Sequence, residues 1–203
     1  MIAIIDYRAG NLRSVKRALE HLGLPCVITN SSRDITAAER VIFPGVGAAG
    51  KAMETIRGSG LDISIREVIA MGTPFLGICL GTQIIFQGSE EDSADCLGIM
   101  PGMVRKFPDM GEKIPHMGWN TITLVKNHPI LRGISRDAWF YFVHSYYPDP
   151  AETDDVVSWT SYGIDFASVV SRGNVFATQF HPEKSGRPGL KILENFSTWD
   201  GKA

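Results

Sequence analysis

The chemistry in this sequence concentrates in a cysteine held between two glycines and in a histidine that a carboxylate follows two residues later. Cys79 lies in Thr73-Pro-Phe-Leu-Gly77-Ile78-Cys79-Leu80-Gly81-Thr82-Gln83, an apolar run entering G-x-C-x-G and then a short helix. This is a nucleophile elbow with sulfur in place of oxygen. The glycines allow the close backbone approach of a sharp strand-to-helix turn, which lifts the central side chain clear of the sheet and frees the next N–H, that of Leu80, for an oxyanion. A cysteine at a helix N-terminus is also favoured as thiolate by the helix dipole and unpaired N–H groups. The ordinary alternative is a small, buried, inert thiol. Cys26 and Cys96 lack flanking glycines and are expected to be of that kind.

A sulfur nucleophile needs a base that later acts as acid toward the leaving group. Of five histidines, His21 lies on a helical pattern and His128 precedes a proline in a turn, positions that suit a surface or partly packed ring. His116 and His144 stand in strings taken up below. His181 ends an apolar strand in Gln179-Phe180-His181-Pro182-Glu183, where Pro182 fixes the chain and Glu183 is placed to hold the ring tautomer and to stabilise the imidazolium. Cys79, His181 and Glu183 then have the roles of a nucleophile, base and orienter triad.

A second glycine-rich stretch, Pro44-Gly45-Val46-Gly47-Ala48-Ala49-Gly50-Lys51-Ala52, supports several readings. As G-x-x-x-x-G-K it resembles a P-loop, but Ala52 stands where a hydroxyl ligates magnesium. As G-x-G-x-x-G it resembles a dinucleotide fingerprint, but it follows a later strand than the usual first turn. It also fits a main-chain oxyanion hole, in which glycines let N–H groups reorient around a small ligand, or a plain βα turn. Tight magnesium-dependent nucleotide binding would distinguish the first two readings from the third.

These residues need a scaffold that the hydrophobic pattern supplies. Ile2 to Ile5 reads as a short, continuously apolar strand, Cys26 to Thr29 and Arg40 to Phe43 as further strands, and Thr73 to Gly77 as a buried one. Leu12, Val15, Leu19 and Leu22, and then Leu61, Ile65, Val68 and Ile69, fall on helical faces closed by Gly23 and Gly72. Strands alternating with amphipathic helices imply right-handed crossovers and a parallel sheet covered on both faces. From about Gly102 the chain becomes β-rich, with strands expected at Met103 to Phe107, Thr121 to Val125, Trp139 to Val143, Val156 to Trp159, Phe166 to Ser171 and Val175 to Phe180. Gly173 and Asn174 supply a tight hairpin, and a terminal helix carries Leu190, Leu193 and Phe196. The fold class is therefore α/β: one domain over 1–203, with a mostly parallel central sheet flanked by helices and a β-rich C-terminal half.

Composition narrows the function. Twenty basic against 22 acidic residues give a net charge of −2, without the basic excess nucleic-acid binding draws on. The acidic cluster Glu90, Glu91, Asp92 and Asp95 suits an exposed loop. No apolar run is long enough for a membrane span or a leader peptide, so a cytoplasmic protein is expected. Three widely spaced cysteines suggest neither a disulfide framework nor a metal site.

The strings at 77–83, 44–47 and 180–183 together resemble the three signatures of class I glutamine amidotransferases, and the likeness runs the length of the chain. Within that class, I-I-D-Y with G-N-L at 10–12, P-H-M-G-W-N at 115–120, F-V-H-S-Y-Y at 142–147 and H-P-E-K-S at 181–185 resemble the family of glutaminase subunits of imidazole glycerol phosphate synthase. The resemblance implies Cys79, His181 and Glu183 as the catalytic triad; Val46, Gly47 and Leu80 at the oxyanion; and Gln83, Glu91, Ser145 and Tyr146 near the substrate glutamine. It implies no cofactor or metal. It also implies a cyclase subunit, a (β/α)₈ barrel in a heterodimer with this chain, that receives the ammonia for histidine biosynthesis. Asn11, Trp119, Tyr141 and Lys184 hold the positions expected to face that partner or the ammonia exit. Activity is expected to be weak alone and stronger with the partner, because Gly45 and Gly47 give the oxyanion turn more than one backbone state. Arg8, where the family usually has a small residue, and Thr82, where it often has Met, depart from the pattern.

Overall fold

A computed structural model describes residues 1–8, 11–109 and 111–202. The N-terminal half alternates as the hydrophobic pattern requires: β1 (Ile2–Ile5), α1 (Leu12–His21), β2 (Cys26–Thr29), α2 (Ser32–Thr36), β3 (Arg40–Gly45), α3 (Ala49–Gly58), α4 (Leu61–Ala70), β4 (Phe75–Cys79) and α5 (Leu80–Gln83). Strands then dominate: β5 (Gly88–Ser89), β6 (Ala94–Asp95), β7 (Gly102–Lys106), β8 (His116–Thr121), β9 (Thr123–Leu124), β10 (Trp139–His144), β11 (Tyr146–Pro150), β12 (Val156–Tyr162), β13 (Ile164–Arg172) and β14 (Val175–Thr178), closed by α6 (Gly186–Thr198).

Eight strands form the central sheet in the order β2-β1-β3-β4-β14-β13-β12-β9. The five from β2 to β14 are parallel, and β13, β12 and β9 extend it antiparallel. Alternation along β1 sends Ile2 and Ile4 to one core, shared with α1 and α6, and Ala3 and Ile5 to the other, shared with α2, α3 and α4. Both faces of the parallel part are therefore buried, as crossover helices demand. β10 pairs with β8 as a separate ribbon, and β11, β7, β5 and β6 make a small third sheet.

Several boundaries differ from the sequence pattern. β4 starts later and ends on Cys79, because Thr73 N–H caps α4 at the Val68 carbonyl while Cys79 still pairs with Gly45. β3 continues through Pro44: past Ile42 it pairs with β4 alone, which leaves room for a residue without an N–H. The run Thr121 to Val125 divides, since Thr121 pairs with Trp139 and Thr123 with Trp159, in different sheets. In the β13–β14 hairpin only Gly173 takes positive φ (56°). Asn174 instead donates its amide to the Ile69 and Thr73 carbonyls. Among the described residues, no helix is long and apolar enough to cross a membrane.

Candidate active site

The elbow depends on two close backbone contacts. A Cβ on Gly81 would lie 1.8 Å from the Phe43 carbonyl oxygen, and one on Gly77 would lie 3.0 Å from both the Ala177 Cβ and the Gly81 oxygen. Only glycine lets α5 begin so near the sheet. Between them Cys79 takes φ 55° and ψ −106°, a strained backbone for a side-chain-bearing residue. Its sulfur lies 3.9 Å from the Val143 carbonyl and 3.8 Å from Gln179 Nε2. Thr82, the departure from the family pattern, fastens the elbow from behind by donating to the Thr178 carbonyl at 2.6 Å.

β14 lies next to β4, so the chain leaving β14 carries His181 to the same sheet end as Cys79. His181 is fully buried. Its N–H donates to the Tyr141 carbonyl at 2.9 Å, and Ser185 Oγ donates to its carbonyl at 2.6 Å while accepting Tyr141 N–H at 3.0 Å. Glu183, on the one-turn helix Pro182–Lys184, places Oε1 2.7 Å from His181 Nδ1. The buried Nε2 makes no hydrogen bond and is the ring nitrogen left for chemistry. Burial works to lower the His181 pKa, but the Cys79 charge and the bond to Glu183 prevail and raise it to about 10. Imidazolium is the form of His181 that this environment favours.

Asn11, expected to face the partner or the ammonia exit, donates its Nδ2 to Glu183 Oε1 and lies 3.3 Å from His181 Nδ1, so it contacts the His181–Glu183 pair directly. Arg8, at φ 66°, ties its N–H to Asp6 Oδ1 at 2.7 Å, holding a turn strained for a residue with a side chain.

Around this centre, Gln83 is buried and donates to the Tyr146 carbonyl at 2.8 Å and to Gln179 Oε1 at 3.1 Å. Leu80 opens α5, Val46 is 37% exposed, and Gly47 has φ 104°. Glu91 turns away from the acidic cluster: its Oε2 accepts the Ala49 N–H at 2.7 Å, capping the start of α3 just past the glycine turn. Burial raises its pKa against that hydrogen bond. Glu90, Asp92 and Asp95 stay exposed, as expected. Ser145 is half-buried, and its carbonyl accepts the Phe107 N–H. Lys51 pairs with Glu54 at 2.7 Å on the solvent side of α3, away from the turn where a phosphate reading would need it. Burial pushes the Cys96 thiol up to about 11 and also raises Cys26, the opposite of activation. His21 is exposed, whereas His128 is buried and accepts the Ile130 N–H on Nδ1.

The sequence pattern passed over Gln179 and Ser185, although both belong to the string around His181. It also passed over much of an outward face. On the β8–β10 ribbon, Met117, Trp119 and Trp139 are 63, 52 and 54% exposed. In register they share one side with Tyr141 and Val143. Trp119 meets Tyr141 edge-on at 6.0 Å, and Lys184 Nζ lies 5.8 Å from the Tyr141 ring centre. Alternation with Phe140, Phe142 and His144, all buried, was the available signal.

Comparison with known proteins gives the family and the fold. The family model of class-I glutamine amidotransferases matches residues 3–198. A solved glutamine amidotransferase superposes with a TM-score of 0.75 at 19% identity, covering 97% of this chain and 99% of its own. PurLQS from Thermotoga maritima gives 0.74 at 18%, covering 96% of each. At such identities these two speak for the fold. Imidazole glycerol phosphate synthase subunit HisH of Methanocaldococcus jannaschii is 52% identical over 97% of this chain and 98% of its own length. That of Desulfovibrio desulfuricans is 50% identical over 97% and 93%. Matched almost end to end by both measures, the chain belongs to the class-I glutamine amidotransferases, in the family of imidazole glycerol phosphate synthase HisH subunits.

Proposed function

We propose that this chain is the glutaminase subunit of an imidazole glycerol phosphate synthase, hydrolysing glutamine to glutamate and ammonia for histidine biosynthesis. The observation that carries the mechanism is the buried His181–Glu183 pair at 2.7 Å, with its free Nε2 on the side of the elbow cysteine. Cys79 sulfur attacks the side-chain amide carbon, and the carbonyl electrons move to oxygen, which Leu80 N–H and the Val46–Gly47 backbone receive. His181 Nε2–H gives its proton to the amide nitrogen as the C–N bond breaks, releasing ammonia and leaving a thioester. Neutral His181 then takes a proton from water, whose oxygen displaces the sulfur to give glutamate. Glu183, itself held by Asn11, keeps the Nδ1 proton in place throughout.

The partner in this reading is a cyclase docked in a heterodimer on Met117, Trp119 and Trp139 with Tyr141, Val143 and Lys184. Such a patch, aromatic at its centre with a cation beside it, has the composition of an interface core. The same strand meets the site from behind: the carbonyls of Val143 and Tyr141 touch Cys79 and His181. Pressure on the outer face of β10 is thereby felt at the nucleophile and the base, which supports the expectation of weak activity alone and stronger activity in the complex. Cys79→Ala in the complex is expected to abolish glutamate release while leaving partner binding intact. Full activity in that variant, or a preference for asparagine over glutamine in the wild type, would overturn the reading.

A further inference from the structure

Tyr7, two residues past β1, carries a polar atom that the reaction above does not use. The side chain is 4% exposed, and its ring meets Phe43 edge-on with centroids 5.3 Å apart. Among the described residues its buried hydroxyl has no hydrogen-bond partner. Buried tyrosines rarely stay so, because losing water without gaining a partner is unfavourable. Packing alone does not explain the oxygen: phenylalanine fills the same space without it.

What the hydroxyl faces is the glycine turn. A Cβ on Gly45 would lie 2.3 Å from Tyr7 Oη and 3.0 Å from Leu80 Cβ, so this hydroxyl, the Gly45 backbone and the residue after the nucleophile meet at one place. Burial raises the phenol pKa, the Cys79 charge raises it further, and Val46 N–H acts in the opposite sense.

A peptide unit carries its C=O and N–H on opposite edges, so only one of Gly45 C=O and Val46 N–H faces Tyr7 at a time. A phenol serves either, accepting from the N–H or donating to the C=O. As it stands, the hydroxyl is hydrogen-bonded to neither edge of the unit. With the unit turned over, O–H donates fully to the Gly45 carbonyl, and Val46 N–H is free for the oxyanion at Cys79. Gly45 before Val46 and Gly47 after it, the latter already at φ 104°, make that rotation accessible. Resting on the glutaminase reading, we propose that Tyr7 is a positioning residue for the reaction: its hydroxyl anchors the Gly45–Val46 peptide unit in the orientation that completes the oxyanion hole.

The test is Tyr7→Phe beside wild type, each in complex with the cyclase subunit, with three readouts. For glutamine hydrolysis, kcat is expected to fall about two- to tenfold, the range one net protein hydrogen bond spans, with KM unchanged. Alkylation of Cys79 by iodoacetamide, a displacement at carbon that forms no oxyanion, is expected to keep its wild-type rate. The unfolding temperature is expected to hold or rise, since an unpartnered buried oxygen has gone. Wild-type kcat in Tyr7→Phe, a loss carried by KM, or a loss accompanied by lower thermal stability would overturn the inference while leaving the glutaminase reading standing. A wild-type complex that releases no glutamate would overturn both.

Discussion

Gly81→Ala isolates the claim that backbone proximity sets the nucleophile. The added methyl carbon would sit 1.8 Å from the Phe43 carbonyl oxygen and 2.9 Å from its carbon. Both are main-chain atoms of a central strand, so no side chain can swing away. Restoring ordinary contact requires β3 and the start of α5 to part by roughly 1.5 Å, and displacements of about 1 Å can cost on the order of a hundredfold in rate. We expect kcat for glutamine hydrolysis to fall by about two orders of magnitude, with stability reduced by about 1–3 kcal/mol, as for other overpacked cores. Gly58→Ala is the control, because nothing lies within 4 Å of its added carbon; it is expected to leave activity unchanged and to stabilise by about 0.4–1 kcal/mol. Glutamate release measured against glutamine concentration, with thermal unfolding in parallel, reads both. Gly81→Ala within threefold of wild-type kcat at wild-type stability would refute the argument.

Stability should fall on both sides of neutrality. Burial lowers His116 and His128 to about 4 and His144 to about 3. Their stabilisation is complete above the unfolded value near 6.5 and is lost as pH falls toward those values. His181 is raised to about 10, so its contribution is complete below about 6.5 and is lost as pH rises through about 10. Unfolding temperature measured from pH 4 to 10 should show both limbs, and His128→Asn, which keeps an acceptor for Ile130 N–H, should flatten the acid one; an unchanged acid slope would contradict the assignment. Trp119→Ala and Trp139→Ala should each weaken partner binding about thirtyfold or more, as truncated aromatic hot spots do, with little effect on the isolated chain's unfolding; calorimetric titration giving wild-type affinity for both would remove the ribbon from the interface.

Local signals carried much of this structure. β1 and β2 begin and end where their runs do; β1 is buried on both faces and tolerates no polar interruption, whereas β2 is a half-buried edge strand. The elbow could be read because the contacts it needs admit only glycine. α3 was hidden by its own Gly50 and Gly58, which weaken helical propensity, although Ala52, Met53 and Ile56 line its buried side. Pro148 and Pro150 disguised β11, and β8 carries Gly118 in mid-strand. The positions of Asn11 against Glu183 and of Tyr7 beneath Gly45 were not legible at all. Each is a contact between segments far apart in the chain, and neither the type nor the neighbours of Asn11 or Tyr7 distinguish it from a turn or core residue.

The slot beside β4 has a consequence for synthesis. β14 is the strand that fills it, yet it is made about half a chain length later, and His181 follows directly behind it. A ribosome-bound or prematurely terminated polypeptide that stops before Val175 therefore holds the reactive thiol with no proton acceptor and with one side of its strand unpaired. On the proposed mechanism such fragments are expected to leave glutamine intact, because the last strand of the sheet in chain order is also the one that brings the base.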